Sequence, residues 1–151
     1  MTMQAGTYYV GDLCYVMHDE WKEVCNLIID GHDVHDGEFT LADGRRFAIY
    51  STAYGDGSFT NNHNSDRLCV DSGSIGCIRL EDIDQDNPKN DIASGIVVEF
   101  ERPFSTSGGR GDNGWDGTIH IGHVEVYTGD DPYYEEEEEE YGYEEEEEYD
   151  Y

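Results

Sequence analysis

The last 22 residues, Asp130 to Tyr151, hold glutamate runs of six and five, 14 acidic residues in all, and no lysine or arginine. Like charges at that density repel along any backbone geometry and offer no apolar face to bury, so residues 130–151 are expected to be a disordered, extended tail. The fold must be made by residues 1–129. The whole chain of 151 residues carries 36 Asp and Glu against 8 Lys and Arg; the body keeps 22 of those acids and all the bases, a net charge of -14. That length suits one compact β-rich domain.

The same charge excludes several classes of function. Eight bases, of which only Arg45 and Arg46 are adjacent, cannot match a row of phosphates, so neither nucleic acid nor an anionic membrane surface is an expected partner. No apolar stretch approaches the length of a span, and Met1-Thr2-Met3-Gln4-Ala5-Gly6 has no basic n-region or apolar h-region. The expected location is intracellular and cytoplasmic. Cys14, Cys25, Cys69 and Cys77 form no C-x-x-C pair, which favours reduced thiols over a redox or zinc motif, with a disulfide framework as the alternative.

Periodicity in the body changes along the chain. Thr7-Tyr8-Tyr9-Val10 reads as a strand, Gly11-Asp12 as a turn, and Leu13-Cys14-Tyr15-Val16 as a second short apolar run. Trp21, Val24, Cys25 and Ile28 recur at helical spacing behind Asp19 as N-cap, with Gly31 as the left-handed C′ residue, which predicts an amphipathic helix over 20–30. Asp43-Gly44 between apolar runs predicts a hairpin, and Asp71-Ser72-Gly73-Ser74 predicts a second one across 67–80. Residues 81–94 read as a polar loop. Ile96, Val98 and Phe100 alternate with Glu99 and Glu101, and residues 118–127 are expected to form the partner strand, with a bulge at Gly122 bringing Ile119, Ile121, Val124 and Val126 to one face. That bulge also gathers His120, His123 and Glu125 on the other face. The sum is an α+β domain, mostly antiparallel β, with seven or eight short strands in a compact sandwich or barrel and one N-terminal helix. Trp21, Ile28, Phe47, Ile49, Val70, Ile96, Val98, Phe100 and Val126 are its core candidates.

Few motifs carry chemistry. Asp82, Asp84 and Asp86 alternate as an EF-hand loop begins, but Asn87 stands where glycine is required and Ala93 where glutamate closes the loop. What is left is a looser calcium set, Asp82, Asp84, Asp86 and Asp91, weighed against a solvated acidic loop; no other cofactor is implied. His32 and His35, like the His120, His123 and Glu125 set, lack a full complement of metal ligands. Cys14 and His18 are a weak thiol and base pair, and Arg110-Gly111-Asp112 is an RGD tripeptide in a Gly-rich link. No P-loop, dinucleotide fingerprint, G-x-S-x-G or H-E-x-x-H occurs.

The tail adds aromatics that solubility alone does not require. Six of the chain's 12 tyrosines lie in it: Tyr133, Tyr134, Tyr141, Tyr143, Tyr149 and Tyr151, interleaved with Glu135 to Glu140 and Glu144 to Glu148. Tyrosine faces attract Arg and Lys by cation–π contact while neighbouring carboxylates pair with the same groups, the mixture expected of a segment that grips a basic protein. In composition it is similar to the acidic tails of histone-binding chaperones and of tubulin.

Three phrases, Gly6-Thr7-Tyr8-Tyr9-Val10-Gly11-Asp12-Leu13-Cys14-Tyr15-Val16, Ala53-Tyr54-Gly55-Asp56-Gly57 and Val70-Asp71-Ser72-Gly73-Ser74-Ile75-Gly76, taken in order, resemble a family of small proteins of bacteriophages and large DNA viruses, found also in some microbial genomes. The pattern covers roughly residues 6–80, and it carries proline where this chain has Leu13. The resemblance implies a viral or microbial setting, host cytoplasm or virion, and no particular activity. Each phrase sets an aspartate beside or near glycine at a strand end. Tight turns explain that placement, and the sharper expectation is that Asp12, Asp56 and Asp71 converge with Tyr15, Tyr54 and Ser72 into a carboxylate-lined site. The expected function is a non-enzymatic interaction protein whose acidic body and tail bind a basic partner, as a nucleic-acid mimic or chaperone. The alternatives are a minor virion component and a hydrolase or calcium-dependent module built on the turn aspartates.

Overall fold

The computed structural model describes residues 2–53, 55–108, 110–111, 114–115 and 117–129. Tyr54, Asp112 and the tail 130–151, with the expectations placed on them, lie outside the described residues. In chain order the elements are β1 (Gly6–Gly11), α1 (Trp21–Ile28), β2 (Ile29–Asp30), β3 (Asp33–Val34), β4 (Gly37–Thr40), β5 (Arg46–Ser51), β6 (Gly57–Asn61) and β7 (Leu68–Val70). There follow β8 (Ser74–Arg79), β9 (Ile96–Phe100), β10 (Thr106–Ser107), β11 (Arg110–Gly111), β12 (Gly114–Trp115), β13 (Thr118–Ile121) and β14 (Val124–Tyr127). Single 3-10 turns occupy Leu13–Tyr15, Leu80–Asp82 and Ile92–Ser94.

Ten strands form two five-stranded antiparallel sheets, in the orders β4-β5-β8-β1-β9 and β10-β13-β14-β6-β7. The alternation of side chains decides what each face meets. From the first sheet Tyr8, Val10, Ala48, Tyr50, Ile75, Cys77, Ile96, Val98 and Phe100 face the second sheet's Phe59, Leu68, Val70, Ile119, Ile121, Val124 and Val126, and together they form the sandwich core. The intervening residues Tyr9, Phe47, Ile49 and Ile78 point the other way, where Val24 and Ile28 of α1, with Leu13, Val16, Met17, Leu41 and Ile83, cover them. The first sheet is therefore buried on both faces. This explains why β1, Gly-Thr-Tyr-Tyr-Val-Gly, has little polar alternation.

The α+β expectation, mostly antiparallel, holds as a sandwich, and the core candidates are buried, with Trp21 partly so. The Asp43-Gly44 hairpin forms as β4 and β5, closed by Leu41 N–H donating to the Arg45 carbonyl at 2.8 Å. The short apolar run after Asp12 forms a 3-10 turn, Leu13–Tyr15, whose Cys14 N–H is capped by the Asp12 side chain. Several local readings change. The helix ends at Ile28, and Gly31 (φ 65°) sits in the turn of a separate ribbon, β2 with β3, instead of capping the helix. Residues 67–80 are no hairpin: β7 pairs with β6 and β8 with β1 and β5, so Asp71–Gly73 is a corner between sheets. Residues 118–127 do not pair with β9. They fold on themselves around Gly122 (φ 60°), whose left-handed backbone permits a two-residue turn, with Ile119 opposite Val126 and Ile121 opposite Val124. The four side chains do share the core face, by a hairpin in place of a bulge. The strand count exceeds the seven or eight expected among the described residues, since β6 and the two-residue strands carry too few apolar residues to announce themselves.

Candidate functional site

Asp12 leaves β1 fully buried, at 0 % exposure. One carboxylate oxygen, Oδ2, accepts from the backbone N–H groups of Asp71 and Ser72, each at 2.7 Å. The other, Oδ1, accepts from Cys14 N–H at 2.9 Å and from Ser72 Oγ at 2.8 Å. Four donors on two oxygens fill a carboxylate's acceptor capacity. The side chain thereby bolts the 70s corner onto the first sheet, and it has no oxygen left to activate a water or receive a substrate proton.

The corner continues into the second glycine-aspartate turn. Thr52 N–H donates to the Gly73 carbonyl at 3.0 Å, the Thr52 hydroxyl closes the next turn by donating to the Gly55 carbonyl at 2.6 Å, and Gly55 Cα lies 3.7 Å from where a Cβ on Gly73 would stand. The three phrases that repeat Asp and Gly do therefore meet at one end of the sandwich. Their carboxylates diverge in use: Asp12 is internal, while the side chains of Asp56 and Asp71 are exposed. Tyr15 is partly exposed beside them, its phenol raised above the ordinary value of 10.0 by burial and then by the charge of Asp71, Cys14, Asp12 and Cys69. Ser72 Oγ is held between Asp12 and Ser74 Oγ, the latter at 2.8 Å.

The expected calcium residues lie on the neighbouring loop, joined to this end where Asp91 N–H donates to the Tyr15 carbonyl at 2.7 Å. Asp84 Oδ1 accepts from Asp86 N–H at 3.1 Å and Asp91 Oδ1 from Ala93 N–H at 3.0 Å, so these carboxylates close their own turns. Burial, then Glu81, raises Asp82. Among the described residues no group of three or more His, Cys, Asp or Glu is arranged to hold a metal ion. His120 and Glu125 do pair across β13 and β14, at 3.9 Å, but His123 sits in the turn against His63 and Phe100. His18 is exposed and bonds Asp19 rather than Cys14. No helix of the described residues is long and apolar enough to cross a membrane.

All four cysteines are free thiols. Burial, reinforced at Cys14 by the adjoining Asp12, pushes Cys14 and Cys77 up to about 12 from an ordinary 9.0. An acid that holds its proton more tightly in the folded state favours folding below its unfolded pKa, and that contribution is lost as pH climbs through the folded one. The midpoint of thermal unfolding is accordingly expected to stay level up to the ordinary thiol value of 9.0 and to fall between there and about 12, with a shallower fall in Cys77→Ala. A midpoint level across that whole range would contradict it.

The paired arginines stand at the opposite end of the first sheet, since Arg46 and Arg79 are the ends of β5 and β8 remote from Ser51 and Ser74. Arg45 pairs with Asp43 at 2.7 Å and Glu20 at 3.1 Å, Arg46 with Glu38 at 2.8 Å, and Arg79 with Glu81 at 3.2 Å. Asp19, Asp56, Asp71, Asp84, Asp86 and Asp91 are exposed. Thr128 is anchored at the corner end of the sandwich, its Oγ accepting from Ala53 N–H at 3.0 Å and its N–H donating to the Gly117 carbonyl at 3.0 Å. Gly129, the last described residue, therefore lies beside Gly117 and Ala53, close to the Asp56 and Asp71 turns. Sequence reasoning singled out the aspartates but missed Thr52 and Thr128, whose roles depend on partners far away in sequence. No model of a known protein family, no curated protein and no solved structure matches this chain.

Proposed function

We propose that this is a non-enzymatic binding protein that masks a basic surface on another protein, either as a mimic of nucleic acid or as a chaperone for a cationic partner in a viral or microbial setting. The observation that carries the reading is where the tail leaves the body: Thr128 is fixed beside Ala53, at the end where the exposed turn aspartates gather. Fourteen tail acids and that cluster then form one anionic field, and the body's Arg45, Arg46 and Arg79 are tied to carboxylates of their own. Partner contacts are assigned to Tyr133, Tyr134, Glu135, Glu140, Tyr141, Tyr143, Glu144, Glu148, Tyr149 and Tyr151, whose rings and carboxylates suit Arg and Lys together.

The hydrolase alternative loses support from the use of Asp12, whose oxygens are both engaged in holding the corner. Oligolysine binding by the full chain and by a 1–129 truncation, each at low and at raised salt, tests the proposal. The full chain is expected to bind about a hundredfold more tightly at low salt and to lose most of that advantage when the charges are screened. Equal binding by the two proteins would overturn it. DNA competing for a captured partner would select the mimic over the chaperone.

A further inference from the structure

Large apolar side chains are exposed at only four described positions, Leu27 (40 %), Ile29 (47 %), Val34 (45 %) and Val97 (45 %), and three of them lie within eight residues. Ile29 and Val34 are a cross-strand pair in the β2 and β3 ribbon, and Leu27 is in the last turn of α1 just before it. The ribbon belongs to neither large sheet. Its second pair, Asp30 opposite Asp33, points to the other face by strand alternation, and both residues are exposed. One side of this finger is apolar, the other acidic, and both stand in solvent. An Ile–Val pair left half-exposed on a solvent-facing ribbon gains more from a covering partner than from its cross-strand contact alone.

The ribbon's position says what it faces. Its base is closed by His35 N–H donating to the Ile28 carbonyl at 2.7 Å, and the next residue, Asp36, accepts from both the N–H and the hydroxyl of Ser51, at 3.1 and 2.9 Å. Ser51 pairs with Ser74 and precedes Thr52 and Ala53, so the finger rises from the end where the tail departs. We infer that residues 27–34 are the body's own contact with the basic partner, accepting a cationic amphipathic segment whose apolar side covers Leu27, Ile29 and Val34 and whose Lys or Arg side chains reach Asp30 and Asp33. This rests on the basic-partner reading and supplies what the tail lacks, an apolar anchor that salt does not screen.

The test compares full-length protein binding an amphipathic Lys/Leu peptide and an oligolysine of equal charge. The amphipathic peptide should bind about tenfold more tightly, and the preference should persist at raised salt. Ile29→Thr with Val34→Thr keeps the β-branching that suits the ribbon while removing its apolar face, and should abolish the preference without changing oligolysine binding. Asp30→Asn with Asp33→Asn, a second variant that leaves the apolar pair in place, should weaken the amphipathic peptide at low salt only. A preference that survives the threonine pair, or none in the wild type, would overturn the inference. Dimerisation of the wild type that the threonine pair abolishes would assign the patch to a second copy instead. Failure of the basic-partner reading registers separately, as no salt-sensitive oligolysine binding by the full chain.

Discussion

Asp12→Ala is expected to cost about 4 kcal/mol of folding stability, seen as a fall of about 12 °C in the thermal midpoint, because it strands three backbone N–H groups and a hydroxyl that now share one carboxylate. That is a large fraction of what a domain of this size has. Asp12→Asn keeps the shape but turns an amide NH2 toward donors and should lose about half as much. Asp56→Ala and Asp71→Ala, whose side chains are exposed, should stay within about 0.5 kcal/mol of wild type. An Asp12→Ala protein as stable as wild type would show that the corner does not depend on this carboxylate. Unchanged stability joined to lost partner binding would move Asp12 into the binding surface.

Gly76→Ala should prevent folding outright. Gly76 lies in β8, between β5 and β1, and a Cβ there would stand 2.0 Å from the Ala48 carbonyl oxygen and 3.1 Å from Ile49 Cα. Both obstacles are backbone of the neighbouring strand, so no rotamer change relieves them; β5 would have to separate from β8. A loss above about 4 kcal/mol is expected, read as insoluble protein or as missing near-ultraviolet dichroism. Val97→Ala, on the exposed side of edge strand β9, should cost less than about 1 kcal/mol. A folded, cooperative Gly76→Ala protein would mean that the register between β5 and β8 is wrong.

The elements legible in the sequence are those whose cause is local. The helix follows from Trp21, Val24 and Ile28 repeating on one face, and the β4 and β5 hairpin from Asp43-Gly44, because each needs only its own residues. The corner at Asp71–Gly73 has the same turn chemistry as a hairpin. What sends β8 into the other sheet is a carboxylate 59 residues away along the chain, and no window around residue 71 contains it. Strand β6 was invisible for another reason: Ser58, Thr60 and Asn61 are polar, and Phe59 alone carries the apolar signal. The faces of 118–127 were right although the geometry was not, since a bulge and a two-residue hairpin both return Val124 and Val126 to the side of Ile119 and Ile121. At the candidate site, the convergence of three Asp and Gly phrases could be anticipated from their repetition. That Asp12 serves the fold while Asp56 and Asp71 face water could not, because burial is a property of the assembled sheets.

The central strand has a consequence for how the protein is made. Tyr8 of β1 lies opposite Arg79 on one side and Val98 on the other, about 70 and 90 residues further along. Strand β1 thus has neither neighbour until most of the body has been synthesised, several seconds after it at about 5–20 residues per second. Folding should be slow and all-or-none, as in other sandwiches dominated by distant pairings, and during that interval Tyr8, Tyr9 and Val10 are an aggregation hazard of the nascent chain.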